Sequence, residues 1–294
     1  MRWTGLTAVC IVTTIVSILV GTPVRDCRAQ GVSVAPLRVL FDGRTRSTTV
    51  FLSNRTAETA TYRISLINRR MLESGAIVPA DEALDGEYFA DELIRFSPRR
   101  VTIAPFGSQT IRLLVRRPRG DAPETVEYRT HLSVRSIPAT PRLEDIESNQ
   151  KAEEEGQLSV KAIATVETII PVILRVGQTN ASVQITNPEL VLHDPESGFP
   201  TLTVDLVRGG NRSIYGEMEV VHVSSGGDET QLFFARGLAV YAPTTRRVKT
   251  VRLKKATPEM LQSGQLVVRY VETEDMHGDQ SAQLVIPLGS DSIN

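Results

Sequence analysis

Apolar and polar residues alternate along most of this chain, in short runs closed off by proline, glycine or asparagine. A period of two marks strands with one buried face. In the first half it runs through VSVAPLRVLF, STTVFLSN, ATYRISLINRR, VTIAP, QTIRLLVRR and EYRTHLSVRSIP, and a longer seventh run follows, QLSVKAIATVETIIPVILR. The second half repeats it in ASVQITN, TLTVDLVR, IYGEMEVVHVS, QLFFARGLAVYAP, RRVKTVRLKK, GQLVVRYVETED and AQLVIPLG. Helical periodicity is nearly absent. DEALDGEYFADELIRFSP and PEMLQSG each have room for a turn of helix, and neither reads as a helical layer. About seven short strands per half predict an all-β chain of two immunoglobulin-like β-sandwich domains.

The opening MRWTGLTAVCIVTTIVSILVG has a single early arginine and then an apolar or small run to about Val20, the shape of a signal peptide. Its apolar core is short against the roughly 20 residues that span a bilayer. Small residues at Cys27 and Ala29 suit cleavage before Gln30. Val24, Arg25 and Asp26 do not supply the small, apolar lead that a lipid-modified Cys27 requires, so soluble export, with no membrane anchor, is the expectation. The domain reading is a signal peptide over 1–29, a first sandwich over 30–177 and a second over 178–294, with the boundary where the long seventh run ends in Gly177. About 265 residues after cleavage suit two domains of ordinary size.

Both cysteines, Cys10 and Cys27, fall in the segment expected to be removed. Stability must then come from packing, even in an oxidising compartment. Cleavage takes Arg2, Arg25, Arg28 and Asp26 from totals of 33 basic and 34 acidic residues, which leaves a small net negative charge and no reason to expect nucleic-acid binding. His131, His193, His222 and His277 show no metal-site spacing, and no nucleophile elbow, phosphate-cradling loop or dinucleotide fingerprint is present. SSGGDE and VRGGNRS read as hairpin turns. No cofactor, metal or catalytic residue is assigned. A carboxylate pair for glycoside hydrolysis carries no local signature, so that alternative stays open at this point.

The segments VSVAPLRVLFDG, VFLSN, IAPFGSQTIRLLV, EYRTHLSVRSIP and IIPVILRVG, in this order after a signal peptide, resemble the periplasmic chaperones of chaperone-usher pilus assembly, the PapD-like superfamily. The resemblance spans nearly all of the first domain and continues more weakly through the second. It implies two immunoglobulin-like domains set as a boomerang. It also implies a periplasmic, non-enzymatic role: binding a pilus or fimbrial subunit that lacks one strand, lending it that strand, and delivering it to an outer-membrane usher. Such a subunit exposes an apolar groove and unpaired strand edges, and a lent strand covers both.

The donor strand so implied is the seventh run, residues 158–175. Its even positions read Leu158, Val160, Ala162, Ala164 and Val166, with Thr168 and Ile170 beyond; its odd positions are mixed. From the pattern alone, packing on the domain's own core and donation to a partner are equal readings, and the resemblance favours donation. The charged run PRLEDIESNQKAEEEG ahead of it reads as a mobile loop that lets the leading end settle on a partner.

The resemblance further implies a basic anchor for the subunit's C-terminal carboxylate. Arg38 stands at the family's first-strand arginine, suited to grip a carboxylate with two hydrogen bonds. The family's usual lysine position is Pro171 here, a departure, and proline's missing donor is expected to interrupt pairing. Lys161 lies some 33 Å along an extended strand and cannot substitute. Glu127, Arg175 and Asp275 fall where the family places an ionic link between the domains, expected as surface charges worth 0 to about 1 kcal/mol. The alternative is a related two-sandwich secretion or surface protein that binds a partner without donating a strand.

Overall fold

The computed structural model describes residues 31–116, 123–138, 165–274 and 277–289. Within them the chain builds two β-sandwiches. In the first, one sheet runs β1 (Val32–Ala35), β3 (Ser47–Asn54), β9 (Ser108–Val115), β7 (Ile94–Ser97). The facing sheet runs β2 (Val39–Phe41), β11 (Glu167–Val176), β10 (Val126–Ile137), β4 (Ala60–Ile67), β8 (Arg100–Ile103). The alternating positions interlock between them: Val50, Leu52, Ile111 and Leu113 from one side meet Tyr62, Leu132, Val134 and Val172 from the other, all buried.

The run read as one strand, VSVAPLRVLF, is two. β1 pairs with β3, and after the cis Ala35–Pro36 peptide β2 pairs with β11 in the opposite sheet. DEALDGEYFADELIRFSP holds no helix; its end is β7, paired with β9. PEMLQSG does hold a single helical turn, Met260–Gln262.

The second sandwich sets β12 (Ala181–Val191), β13 (Thr201–Gly210) and β16 (Arg246–Arg252) against β15 (Glu229–Val240), β14 (Ile214–Val223), β17 (Gln265–Glu272) and β18 (Ser281–Pro287). Leu202, Leu206, Val220, Leu266 and Tyr270 fill its core. Between the sandwiches lies a third, smaller cluster: Ile173 of β11 with Met71 on one side, Ala239 and Tyr241 on the other, flanked by Leu40 and Tyr215. A hairpin of β5 (Arg69–Met71) and β6 (Ile77–Pro79) leans on β16, where Val248 N–H donates to the Glu73 carbonyl and Arg246 pairs with the Glu73 carboxylate at 2.5 Å.

The crossing from one sandwich to the other is made at Gly177, whose φ of +68° lies in the left-handed region. A Cβ there would stand 2.2 Å from the Glu124 carbonyl oxygen. Gly177→Ala is therefore expected to cost more than about 1 kcal/mol, since both the backbone conformation and the space are wrong for a side chain. Urea unfolding compares the two proteins, and an unchanged midpoint would contradict the tight crossing.

Candidate functional site

β11 is flanked unequally. Antiparallel to β10, it is paired along its whole length, from Val126 opposite Val176 to Arg135 opposite Glu167. Parallel to β2, it is paired only where Val172, Ile173 and Leu174 face Val39, Leu40 and Phe41. Ahead of Val172, no strand among the described residues lies on that second side.

The hydrogen-bonding phase tells what this edge offers. Ser136 N–H donates to the Val166 carbonyl at 2.9 Å. In an antiparallel ladder, residues on one strand turn alternately toward and away from the partner. Even positions from Val166 onward thus bond β10, and Glu167 and Ile169 turn their N–H and C=O groups outward to the open edge. Pro171 turns only a carbonyl outward. Pairing with β10 is not interrupted at Pro171, contrary to the sequence expectation; His131 sits opposite it in unbroken register. The donor that proline lacks points away from β10, so its absence trims the open edge instead.

The side chains divide by face. Ile170, Val172 and Leu174 belong to the first domain's own core, so over this stretch the even face completes its own sandwich. Of the expected donor positions, Leu158, Val160, Ala162 and Ala164 lie outside the described residues. Val166 immediately precedes the strand, half-buried, with its N–H donating to Ser136 Oγ at 2.9 Å.

Arg38 stands one residue before the paired segment of β2, which places it beside Pro171. Val39 is in the core, so Arg38 and Leu40 take the outer face, toward the second sandwich. There the Arg38 guanidinium lies over the Tyr215 ring, 3.0 Å from its centroid. An aromatic face under a guanidinium fixes its plane.

Glu127 and Arg175 face each other across β10 and β11, with Arg175 Nε 3.1 Å from Glu127 Oε2. They are not surface charges: their side chains are 1 % and 7 % exposed. Asp275 lies outside the described residues. The partner that reaches Glu127 from the second sandwich is Ser213, whose N–H donates to Oε2 at 3.1 Å and whose hydroxyl bonds Oε1. Arg175 Nη2 in turn donates to the Ser213 carbonyl at 3.4 Å. Next to Ser213, Arg212 is held by a two-pronged bond to Glu272 at 2.7 and 3.0 Å. Sequence reading missed Ser213 because GGNRS looks like a plain hairpin turn.

Arg129 and His131 continue the outer face of β10. Arg129 is buried against the second sandwich, its Nη1 donating to the Ala242 carbonyl at 2.7 Å and its guanidinium 4.7 Å from the Tyr241 ring centroid. His131 is 4 % exposed. Burial, then the neighbouring Arg129 and Arg69, push its pKa down to about 3, with a backbone hydrogen bond at Ile67 pulling the other way. The imidazole is thus neutral at any ordinary pH.

The solved structures to which the chain is similar include the E. coli chaperone DraB (12 % identity, 88 % of this chain and 96 % of that one, TM-score 0.43). A second is the Pseudomonas aeruginosa CupB2 chaperone (14 % identity, 87 % and 100 %, TM-score 0.41). A third is a chain from the Salmonella enterica structure that holds the SafA pilin in complex with the SafB chaperone (13 % identity, 89 % and 98 %, TM-score 0.42). No family model matches the sequence, and no curated protein matches it.

Proposed function

We propose that this protein is a periplasmic chaperone that lends the leading part of β11 and the run before it to a pilus or fimbrial subunit lacking a strand, and passes that subunit to an outer-membrane usher. The observation that carries the reading is the open edge of β11 at Glu167 and Ile169, with Arg38 beside the proline that ends it. An incoming strand would find two N–H donors and three carbonyls there, with a guanidinium where its end would lie. The ordered segment patterns that resemble the PapD-like superfamily support the same role. The interdomain contacts around Glu127 and Ser213 would hold the cleft at a fixed angle, so that edge and anchor stay in register.

Affinity purification of the tagged mature protein from the periplasm of its host, with mass spectrometry, tests this. A small β-rich partner in one-to-one ratio is expected. Ile169→Pro removes one outward donor without touching the bonds to β10, and Val166→Asp and Val160→Asp place charge on the lent face; each is expected to abolish recovery of the partner while export and circular dichroism stay as in the wild type. Full recovery with all three variants would show that the partner is bound without strand donation.

A further inference from the structure

Three arginines stand side by side on the outer face of the first sandwich, at the end away from the second. Arg63 of β4 lies directly opposite Arg100 of β8 on one side and Arg135 of β10 on the other. Their neighbours Tyr62, Ile64, Val101 and Val134 are in the core, so the three arginines point outward, and all three are exposed. None of them forms an ion pair or a hydrogen bond with a described residue. Glu167 of β11, opposite Arg135, is the one acid in the row, and it accepts from the Ser133 hydroxyl instead. Like charges directly opposite one another on a sheet cost stability. Local rules are broken in this way chiefly at functional sites.

The positive charge extends past β8. That strand begins at Arg100, so no described strand covers the edge of β4 beyond Ile64, and a cleft of about 200 Å³ opens there, lined by Ser65, Asp91, Arg95 and Arg99 among others. Arg99 lies over the Phe96 ring, 5.2 Å from its centroid, and Arg95 pairs with no carboxylate among the described residues. Around the arginine row the face is polar and its side chains are short. Thr61 and Thr102 face each other with their hydroxyls 2.9 Å apart, and Ser65 lies opposite Ser133. No large apolar side chain on β4, β8 or β10 is exposed. The whole chain carries a formal net charge of −1, so the positive field belongs to this face and not to the protein at large.

We infer that this face docks the protein on an anionic lipid surface, with Arg63, Arg100 and Arg135 gripping headgroup phosphates and Arg95 and Arg99 at the rim. A guanidinium holds a phosphate with two parallel hydrogen bonds. The outer two of three adjacent strands stand about 10 Å apart, so the three arms reach several headgroups at once. A protein partner calls for an apolar or aromatic anchor at the centre of its interface, and this face has none to offer. A nucleic-acid strand calls for aromatic platforms to stack its bases, which are missing here for the same reason. Glu167 puts negative charge at the β11 end of the row, so the contact tilts toward β8 and leaves the open edge of β11 clear. Lipid docking in this orientation and strand-lending are independent properties of the chain.

The test is sedimentation of the mature protein with lipid vesicles. Binding is expected to vesicles of phosphatidylglycerol and phosphatidylcholine in equal parts, and not to phosphatidylcholine alone. It should fade between about 0.1 M and about 1 M salt, as the Debye length shrinks from about 10 Å to about 3 Å. Each arginine at such a surface strengthens binding about fivefold, so Arg63→Gln/Arg100→Gln/Arg135→Gln should bind about a hundredfold more weakly. Its thermal midpoint should not fall, because the substitutions remove repulsion, and lost binding then cannot be read as unfolding. Arg252→Gln/Lys254→Gln/Lys255→Gln removes the same charge from exposed positions of the second sandwich and should keep most of the binding. Equal loss in the two triple variants would overturn the assignment to this face. Failure of the wild type to bind the anionic vesicles would overturn lipid docking, and if an oligo-glutamate peptide then bound the wild type but not the variant of the arginine row, the face would belong to an acidic protein segment instead.

Discussion

Glu127→Ala is expected to destabilise the protein by about 3–5 kcal/mol, the range for breaking a buried ion pair from one side. The carboxylate is 1 % exposed and accepts from three donors: Arg175 Nε, the Ser213 N–H and the Ser213 hydroxyl all converge on its two oxygens. Its loss leaves the Arg175 guanidinium, buried at the same seam, without that carboxylate and leaves the Ser213 donors with no acceptor there. Removing both charges is a different matter. In Glu127→Ala/Arg175→Met the desolvated cation is gone too, so the double variant should recover part of the loss, and the pair should be strongly non-additive. Urea unfolding followed by circular dichroism measures this, since the chain's one tryptophan is Trp3, in the segment expected to be cleaved. A loss below about 1 kcal/mol would mean that water reaches the pair and that it behaves as a surface bridge.

That contrast shows what alternation does and does not reveal. STTVFLSN is β3 residue for residue, because one face meets the core and the other meets solvent, the case in which period two and burial coincide. EYRTHLSVR alternates just as cleanly, yet in β10 both faces are buried. Its polar positions, Glu127, Arg129, His131 and Ser133, point at the second sandwich or across to β11, and nothing local in the sequence distinguishes a polar face turned to water from one turned to another domain. Only the resemblance drew Glu127 and Arg175 together in advance. Ser213 was invisible for the same reason: it matters through Glu127, a partner far away in sequence. β7 was lost because ELIRFSP has no alternation long enough to outweigh its acidic lead, and its pairing with β9 decides its conformation. In β12 the bulge between Thr186 and Glu189, with Asn187 at φ +51°, shifts the register by more than a period-two reading of ASVQITN could follow.

The neutral His131 carries the second large effect, in acid. Its folded pKa of about 3 lies below the ordinary value of 6.5, so the sign is fixed. Above pH 6.5 neither folded nor unfolded chain binds a proton at this site, and stability is unaffected. Between 6.5 and about 3 only the unfolded chain takes the proton, and stability falls by about 1.4 kcal/mol for each pH unit. The loss approaches roughly 4–5 kcal/mol near pH 3 and levels off once the folded imidazole is protonated as well. Carboxylates titrate in the lower part of this window, so the comparison that isolates the histidine is His131→Leu against the wild type between pH 7 and pH 5. Over that interval the wild type should lose about 2 kcal/mol more than the variant. Under the chaperone reading proposed above, the variant should also bind a subunit as the wild type does at pH 7, and should retain that binding at the acidic end, where the wild type is weakened by its own fold. Parallel stability curves for the two proteins would mean that the imidazole is charged in the folded state, in company with Arg129 and Arg69, and that some anion already sits among them.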